Sequence, residues 1–148
     1  MANFFKDNPD LVFTLENLDL REHGYRYAEE YDNAPVNYAD AADNFRRVLE
    51  VVGEICGDRI EPRSRTVDAE GPHFADGKVT YHPLTVKNLE DLTRAGVMGV
   101  MLGHKYGGLN FPVSVYTMMT EMVSRADASL QNIFGLQDIA ETINFFGS

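Results

Sequence analysis

The side chains that could do chemistry are few, and their spacing brings none of them together. The four histidines are His23, His73, His82 and His104. No two stand three or four residues apart, no HExxH run occurs and no cysteine joins them, so spacing builds no metal site. Cys56 is the single cysteine, which excludes an intrachain disulfide. It falls near the apolar face of an expected helix and reads as a small core residue. GxSxG and GxGxxG are both absent, removing the strained serine elbow and the dinucleotide fingerprint. The run from Gly103 to Gly108 suggests a phosphate loop, yet it lacks the closing Lys-Ser/Thr pair and follows no convincing strand. It reads instead as a tight turn in which Gly107 and Gly108 permit positive φ or close backbone approach. Asp127 suits a helix N-cap and Glu121 an exposed helix face; neither has an acid–base partner by spacing. Met98, Met101, Met118, Met119 and Met122 read as adaptable packing, with an apolar ligand wall as the alternative.

Periodicity points to helices as the elements that position these groups. Ala41, Phe45, Val48, Leu49, Val52 and Ile55 recur at three- and four-residue steps, giving a helix over 39–61 that Pro62 should stop or kink. A helix over 16–30 is expected before it, and 10–15 could be a short strand or a helix start. Residues 68–84 carry turn signals and read as one long connector, with 78–81 extended. Leu89 and Leu92, with Val86 and Ala95 at their edges, mark a short helix over about 86–95, and Gly96 stands where a left-handed residue past its end is wanted. Pro112 opens a helix at its first turn, with Val115, Tyr116, Met119, Met122 and Val123 as its buried stripe. Asp127 or Ser129 starts a last long helix, apolar at Leu130, Ile133, Phe134, Ile139, Ile143 and Phe146. The expected class is all-α: about five to six helices with one long turn-rich loop, the last two helices packed as an antiparallel pair.

Composition bounds the function. The chain has 148 residues and a net charge of −10, one domain's worth of a globular sequence. Residues 1–50 hold 11 acidic and 5 basic side chains and residues 51–148 hold 12 and 8. That balance argues against nucleic acid, whose phosphates need Lys/Arg stripes, and against this chain being the main binder of a phosphate-rich cofactor. No apolar run approaches a membrane span and no secretory leader is apparent, so the expected location is cytoplasmic.

One stretch carries a resemblance. Leu89, Leu92 and Ala95-Gly96-Val97-Met98-Gly99 are followed by Tyr106-Gly107-Gly108, then Glu121, then Ser124-Arg125-Ala126-Asp127-Ala128-Ser129, and finally Phe146-Gly147-Ser148. Ile60-Glu61-Pro62-Arg63 and Asp68 with Glu70-Gly71-Pro72 precede them. In this order and spacing the run resembles the N-terminal helical domain of flavin-dependent acyl-CoA dehydrogenases, over about Ala41 to Ser148. Gly103-His104-Lys105 departs from that family's usual Pro-Glu-Glu, and Thr120 from the first of its paired glutamates. The resemblance implies residues 1–37 as an N-terminal extension, as in the larger subfamilies, and 38–148 as the helical domain. The family's middle β domain and C-terminal helical domain would lie outside this chain.

The resemblance further implies FAD as cofactor, bound mainly by those other domains, and an acyl-CoA substrate dehydrogenated at its α,β bond, a step of fatty acid metabolism. A glutamate base takes the α proton and flavin N5 the β hydride; the base belongs to the C-terminal domain, so no catalytic residue is expected here. An electron-transfer flavoprotein would accept the electrons, and the full-length enzyme would be a homo-oligomer. What this domain would contribute is a wall of the acyl pocket, at Phe134, Gly135, Gln137 and Asp138, with Phe134 and Asp138 sharing a helix face. An oxidase or monooxygenase of the same superfamily, or a free-standing helical interaction module, are the alternatives.

Overall fold

The computed structural model describes residues 1–20 and 34–147. Among them seven α-helices carry the fold: α1 (Pro9–Asn17), α2 (Tyr38–Ile55), α3 (Glu61–Glu70), α4 (Pro83–Arg94), α5 (Val113–Ala126), α6 (Ala128–Phe134) and α7 (Gln137–Phe146). A two-stranded antiparallel hairpin, β1 (His73–Ala75) and β2 (Lys78–Thr80), stands between α3 and α4 with Phe74 opposite Val79. The class is all-α. Its core is the seam where α5 packs on α2 and α6. Phe45, Leu49 and Val52 meet Val115, Met119, Met122, Leu130 and Phe134 there, all buried. Each such Leu or Phe contributes about 1.5–3 kcal/mol by leaving water.

Several boundaries differ from the sequence reading, each for a local reason. Pro62 does not stop the helical run. α2 widens into a π turn over Cys56–Ile60, with the Glu61 N–H reaching the Cys56 carbonyl, and α3 starts at once with Pro62 in its first turn. The register shifts by one just where a proline has no N–H to donate. Residues 10–15 are helical because Asn8 caps α1, its side chain accepting from the Asp10 and Leu11 amides. The helix expected over 16–30 does not continue from it: α1 ends at Asn17 and Leu18 is extended. The Tyr38 hydroxyl there donates to the Leu18 carbonyl and accepts from the Leu20 amide. Residues 21–30 of that expected helix, and His23, lie outside the described residues. The 68–84 connector is shorter than expected, since α3 runs to Glu70 and the hairpin fills most of the remainder. α4 begins at Pro83, three residues early, capped by His82 Nδ1 accepting from the Leu84 amide.

The first residues also belong to this core. Phe5 is fully buried, and the Phe4 amide donates to the Gly53 carbonyl at 3.0 Å. A Cβ at Gly53 would fall 2.6 Å from the Phe5 nitrogen, so only glycine lets the N-terminal segment lie directly on α2.

Candidate functional site

The last long helix of the sequence reading is two helices, and the elbow between them is where the expected site residues gather. Gly135 and Leu136 could have continued as α-helix; the backbone instead tightens. The Asp138 amide bonds to the Gly135 carbonyl and the Ile139 amide to the Leu136 carbonyl, each three residues back rather than four. The Tyr116 hydroxyl, on α5, donates to the Gly135 carbonyl at 3.0 Å and the Phe134 carbonyl at 3.3 Å. Gln137 Nε2 donates to the Phe134 carbonyl as well, at 3.1 Å. Side-chain donors thus satisfy the Phe134 and Gly135 carbonyls where the i→i−4 ladder gives way to the tighter turn.

Each predicted site residue has a distinct place. Phe134 is fully buried, its ring stacked on Tyr116 with centroids 6.0 Å apart and planes 28° from parallel. Gly135 is half-buried at the end of α6; a Cβ there would meet Gln131 Nε2 at 2.9 Å. Gln137 points inward: its Oε1 accepts from the Gly99 amide and, at 3.2 Å, from the Val100 amide. Asp138 is exposed in the first turn of α7. Phe134 and Asp138 therefore do not share a face, contrary to the i, i+4 expectation, because the tightened turn between them separates the two helices. Beyond the elbow, Leu136, Ile139, Ile143 and Phe146 are all exposed, at steps of three, four and three along the helix, which makes one apolar stripe. Burial pushes the Tyr116 phenol up to about 12, with the nearby Asp138 carboxylate adding to it.

The loop between α4 and α5 meets this elbow. Gly107 has φ +78°, and Gly108 is buried where a Cβ would lie 1.9 Å from the Leu102 carbonyl oxygen. The first glycine supplies a left-handed backbone and the second a close approach, as the tight-turn reading expects. The Phe111 amide bonds to the Val100 carbonyl, and the Phe111 ring packs edge-on to Phe45 of α2 at 4.8 Å. The other sequence candidates are structural. Asp127 caps α6, accepting from the Ser129 and Leu130 amides. Exposed Glu121 accepts from Asn8 at 3.2 Å. Cys56 is buried in the π turn, and burial pushes its thiol up to about 12.

Sequence reasoning missed a buried polar cluster. α4 turns Asn88, Asp91 and Thr85 inward beside Leu92, while Val86, expected at the edge of the apolar face, is exposed. Arg63 of α3 donates to Asn88 Oδ1 and to Asp91 Oδ2, both at 2.8 Å, and Arg59 reaches Asp91 Oδ1 at 3.4 Å. Burial alone would raise the Asp91 carboxyl, but the hydrogen bond and charge of Arg63, with Arg59 behind it, outweigh burial and hold it below the usual range. The signal was present: Thr85, Asn88 and Asp91 recur at helical spacing on the Leu92 side, and Arg59 and Arg63 are one turn apart.

Two clefts among the described residues lack convergent cations. One of about 420 Å³ is lined by Glu16, Asp19 and Asp43 against a single Arg46. Another, of about 330 Å³ between α3, the hairpin exit and α6, has no lysine or arginine in its lining. A diphosphate needs convergent cations or free backbone N–H groups. The paired Gly99 and Val100 amides already point at Gln137. Among the described residues no cluster of three or more His, Cys, Asp or Glu could hold a metal ion, and no helix is long and apolar enough to cross a membrane.

An all-α core with the α4–α5 glycine loop packed against a bent C-terminal helix pair defines a class of domain, and comparison with known proteins identifies it. Residues 42–148 match the family model of the acyl-CoA dehydrogenase N-terminal domain, and the chain belongs to that family. A 94-residue stretch is 31% identical to the 3-methylmercaptopropionyl-CoA dehydrogenase of Ruegeria pomeroyi, covering 64% of this chain and 15% of that enzyme. The matched stretch thus spans under a sixth of that relative's length.

Proposed function

We propose that this chain is the N-terminal domain of a flavin-dependent acyl-CoA dehydrogenase and that the α6–α7 elbow forms one wall of its acyl pocket. The observation that carries the reading is the elbow: a turn hydrogen-bonded to Tyr116 from behind, leading into an apolar stripe of Leu136, Ile139, Ile143 and Phe146 that is exposed along its length. Contiguous exposed apolar surface of this kind marks binding or interface surface. In this reading Gly135 and Asp138 face the acyl group, while Phe134 and Gln137 support the wall from the core side. Residues 1–37 are an extension and 38–148 the domain proper. FAD, the catalytic base and the contacts to an electron-transfer flavoprotein belong to other segments of a homo-oligomeric parent enzyme of fatty acid metabolism. A cytoplasmic location accords with the buried free thiol of Cys56. By itself the chain neither holds FAD tightly nor dehydrogenates acyl-CoA.

The substrate class follows from the wall. A carboxylate against methylene groups is costly, so Asp138 favours a short, branched, cyclic or polar acyl group over a long straight chain. The relative's name, a 3-methylmercaptopropionyl-CoA dehydrogenase, describes a short thioether acyl group. The test is anaerobic addition of acyl-CoA thioesters to the full-length gene product. Bleaching of bound flavin by short acyl-CoA supports the reading. A full-length protein without flavin, which still binds other chains, would instead mark a helical interaction module.

A further inference from the structure

The Gln137 side chain has no hydrogen-bonding capacity left for a substrate. A carboxamide offers one oxygen with two lone pairs and two N–H groups. Oε1 accepts from both the Gly99 and Val100 amides; Nε2 donates to the Phe134 carbonyl at 3.1 Å and contacts Met98 Sδ at 3.9 Å. Two successive backbone N–H groups fix which end is oxygen, since the reversed amide would set donor against donor. The successive N–H groups, with Gly99 at φ +85°, form a concavity that favours an oxygen. From Val100 the connection continues through the Phe111 amide to the edge contact with Phe45 in α2. One side chain thus ties the elbow, the α4–α5 loop and the core helix together.

We infer that Gln137 is a positioning residue: its carboxamide latches the Gly99–Val100 loop to the α6–α7 elbow, so that loop and acyl wall hold one geometry and together set acyl selectivity. The pocket half of this inference rests on the function proposed above. Gln137→Leu keeps the volume and removes the latch. Gln137→Glu keeps an oxygen for the two amides and puts an acceptor in place of the donor that faces Phe134 and Met98. Hydrogen exchange on the full-length protein should show the Gly99 and Val100 amides exchanging on the order of tenfold faster in Gln137→Leu, and close to wild type in Gln137→Glu. The ratio of kcat/KM between a short and a long acyl-CoA should shift several-fold in the first variant and hold in the second. Should Gln137→Leu fail to fold, Gln137→Asn, one methylene too short to span both groups, carries the same test. Unchanged exchange at Gly99 and Val100 overturns the latch. Faster exchange with an unchanged ratio overturns its link to selectivity. If the wild-type protein turns over no acyl-CoA, the pocket half falls with the function it rests on, and the exchange result still decides the latch.

Discussion

The hydroxyl of Tyr116 and the carbonyl of Gly135 lie 3.0 Å apart, nineteen residues distant in sequence and on opposite sides of the α5–α6 turn. The bond falls at the elbow between α6 and α7. Tyr116→Phe keeps the ring stacked on Phe134 and leaves the Gly135 carbonyl without that donor. The expected cost is about 1–2 kcal/mol, seen as a melting temperature lower by about 3–6 °C. An unchanged melt would mean that the phenol does not hold the elbow.

Alkaline pH should destabilise the protein through two buried acids. The folded values of Tyr116 and Cys56 are both raised to about 12, from 10.0 and 9.0. A folded state that keeps its proton where the unfolded chain loses it is favoured below the unfolded value. That advantage disappears as pH rises toward the folded one. The contribution of these two groups should therefore be constant below about pH 9 and be lost between about pH 9 and 12. Urea unfolding across that range checks it, and the Tyr116→Phe and Cys56→Ala variants should each flatten the fall.

Asp91 works in the opposite direction. Its folded value is depressed below 3.8 by the two arginines, so its contribution is present above that value and lost as pH falls further. Asp91→Asn leaves Arg63, mostly buried, without its charge partner. The expected loss is about 2 kcal/mol, below that of a fully buried pair because Arg59 is half exposed. Denaturant midpoints at neutral pH and at pH 3 test this: the gap between wild type and variant should narrow in acid.

Gly108→Ala should be among the most damaging single-methyl additions in the chain. The new carbon would overlap the Leu102 carbonyl at 1.9 Å and the Gly99 carbonyl at 2.5 Å, both backbone atoms that cannot swing away. A cost of about 3 kcal/mol or more is expected. A variant with wild-type stability would show that the loop backbone yields without penalty.

Exposed Leu136, Ile139, Ile143 and Phe146 should make the isolated chain bind hydrophobic dyes and self-associate. Ile139→Lys with Ile143→Lys should abolish both in sedimentation and dye fluorescence while leaving stability within about 0.5 kcal/mol. A wild-type chain that stays monomeric at high concentration and binds no dye would count against an interface there.

Much of this was legible in the residues. The α2 and α5 stripes followed from three- and four-residue spacing, because both helices bury one continuous face. Asp127 as a cap and Gly107-Gly108 as a turn followed from local stereochemistry alone. What periodicity missed depends on partners far away in sequence. At the elbow Tyr116 of α5 donates to the Phe134 and Gly135 carbonyls, and a helical wheel drawn over 128–146 does not contain that residue. Asp91 and Asn88 drew no reading from the sequence, because what makes them an interior cluster is Arg63 of another helix. Phe134 was expected at a ligand face, yet stacking on Tyr116 encloses it. Its truncation to Ala would accordingly cost about 3–5 kcal/mol as a core cavity, so Phe134→Leu is the sounder probe of selectivity.

The measurement closest to the central claim is the acyl-length profile of kcat/KM for the full-length gene product, wild type against Asp138→Leu. Asp138 is exposed at the elbow and carries little of the fold, so the variant should remain folded. The account predicts that the wild-type enzyme prefers short or polar acyl-CoA, and that Asp138→Leu shifts the optimum toward longer straight chains by about 1–3 kcal/mol in relative transition-state free energy. An identical ranking of substrates in the two proteins would contradict the placement of the acyl wall at the α6–α7 elbow.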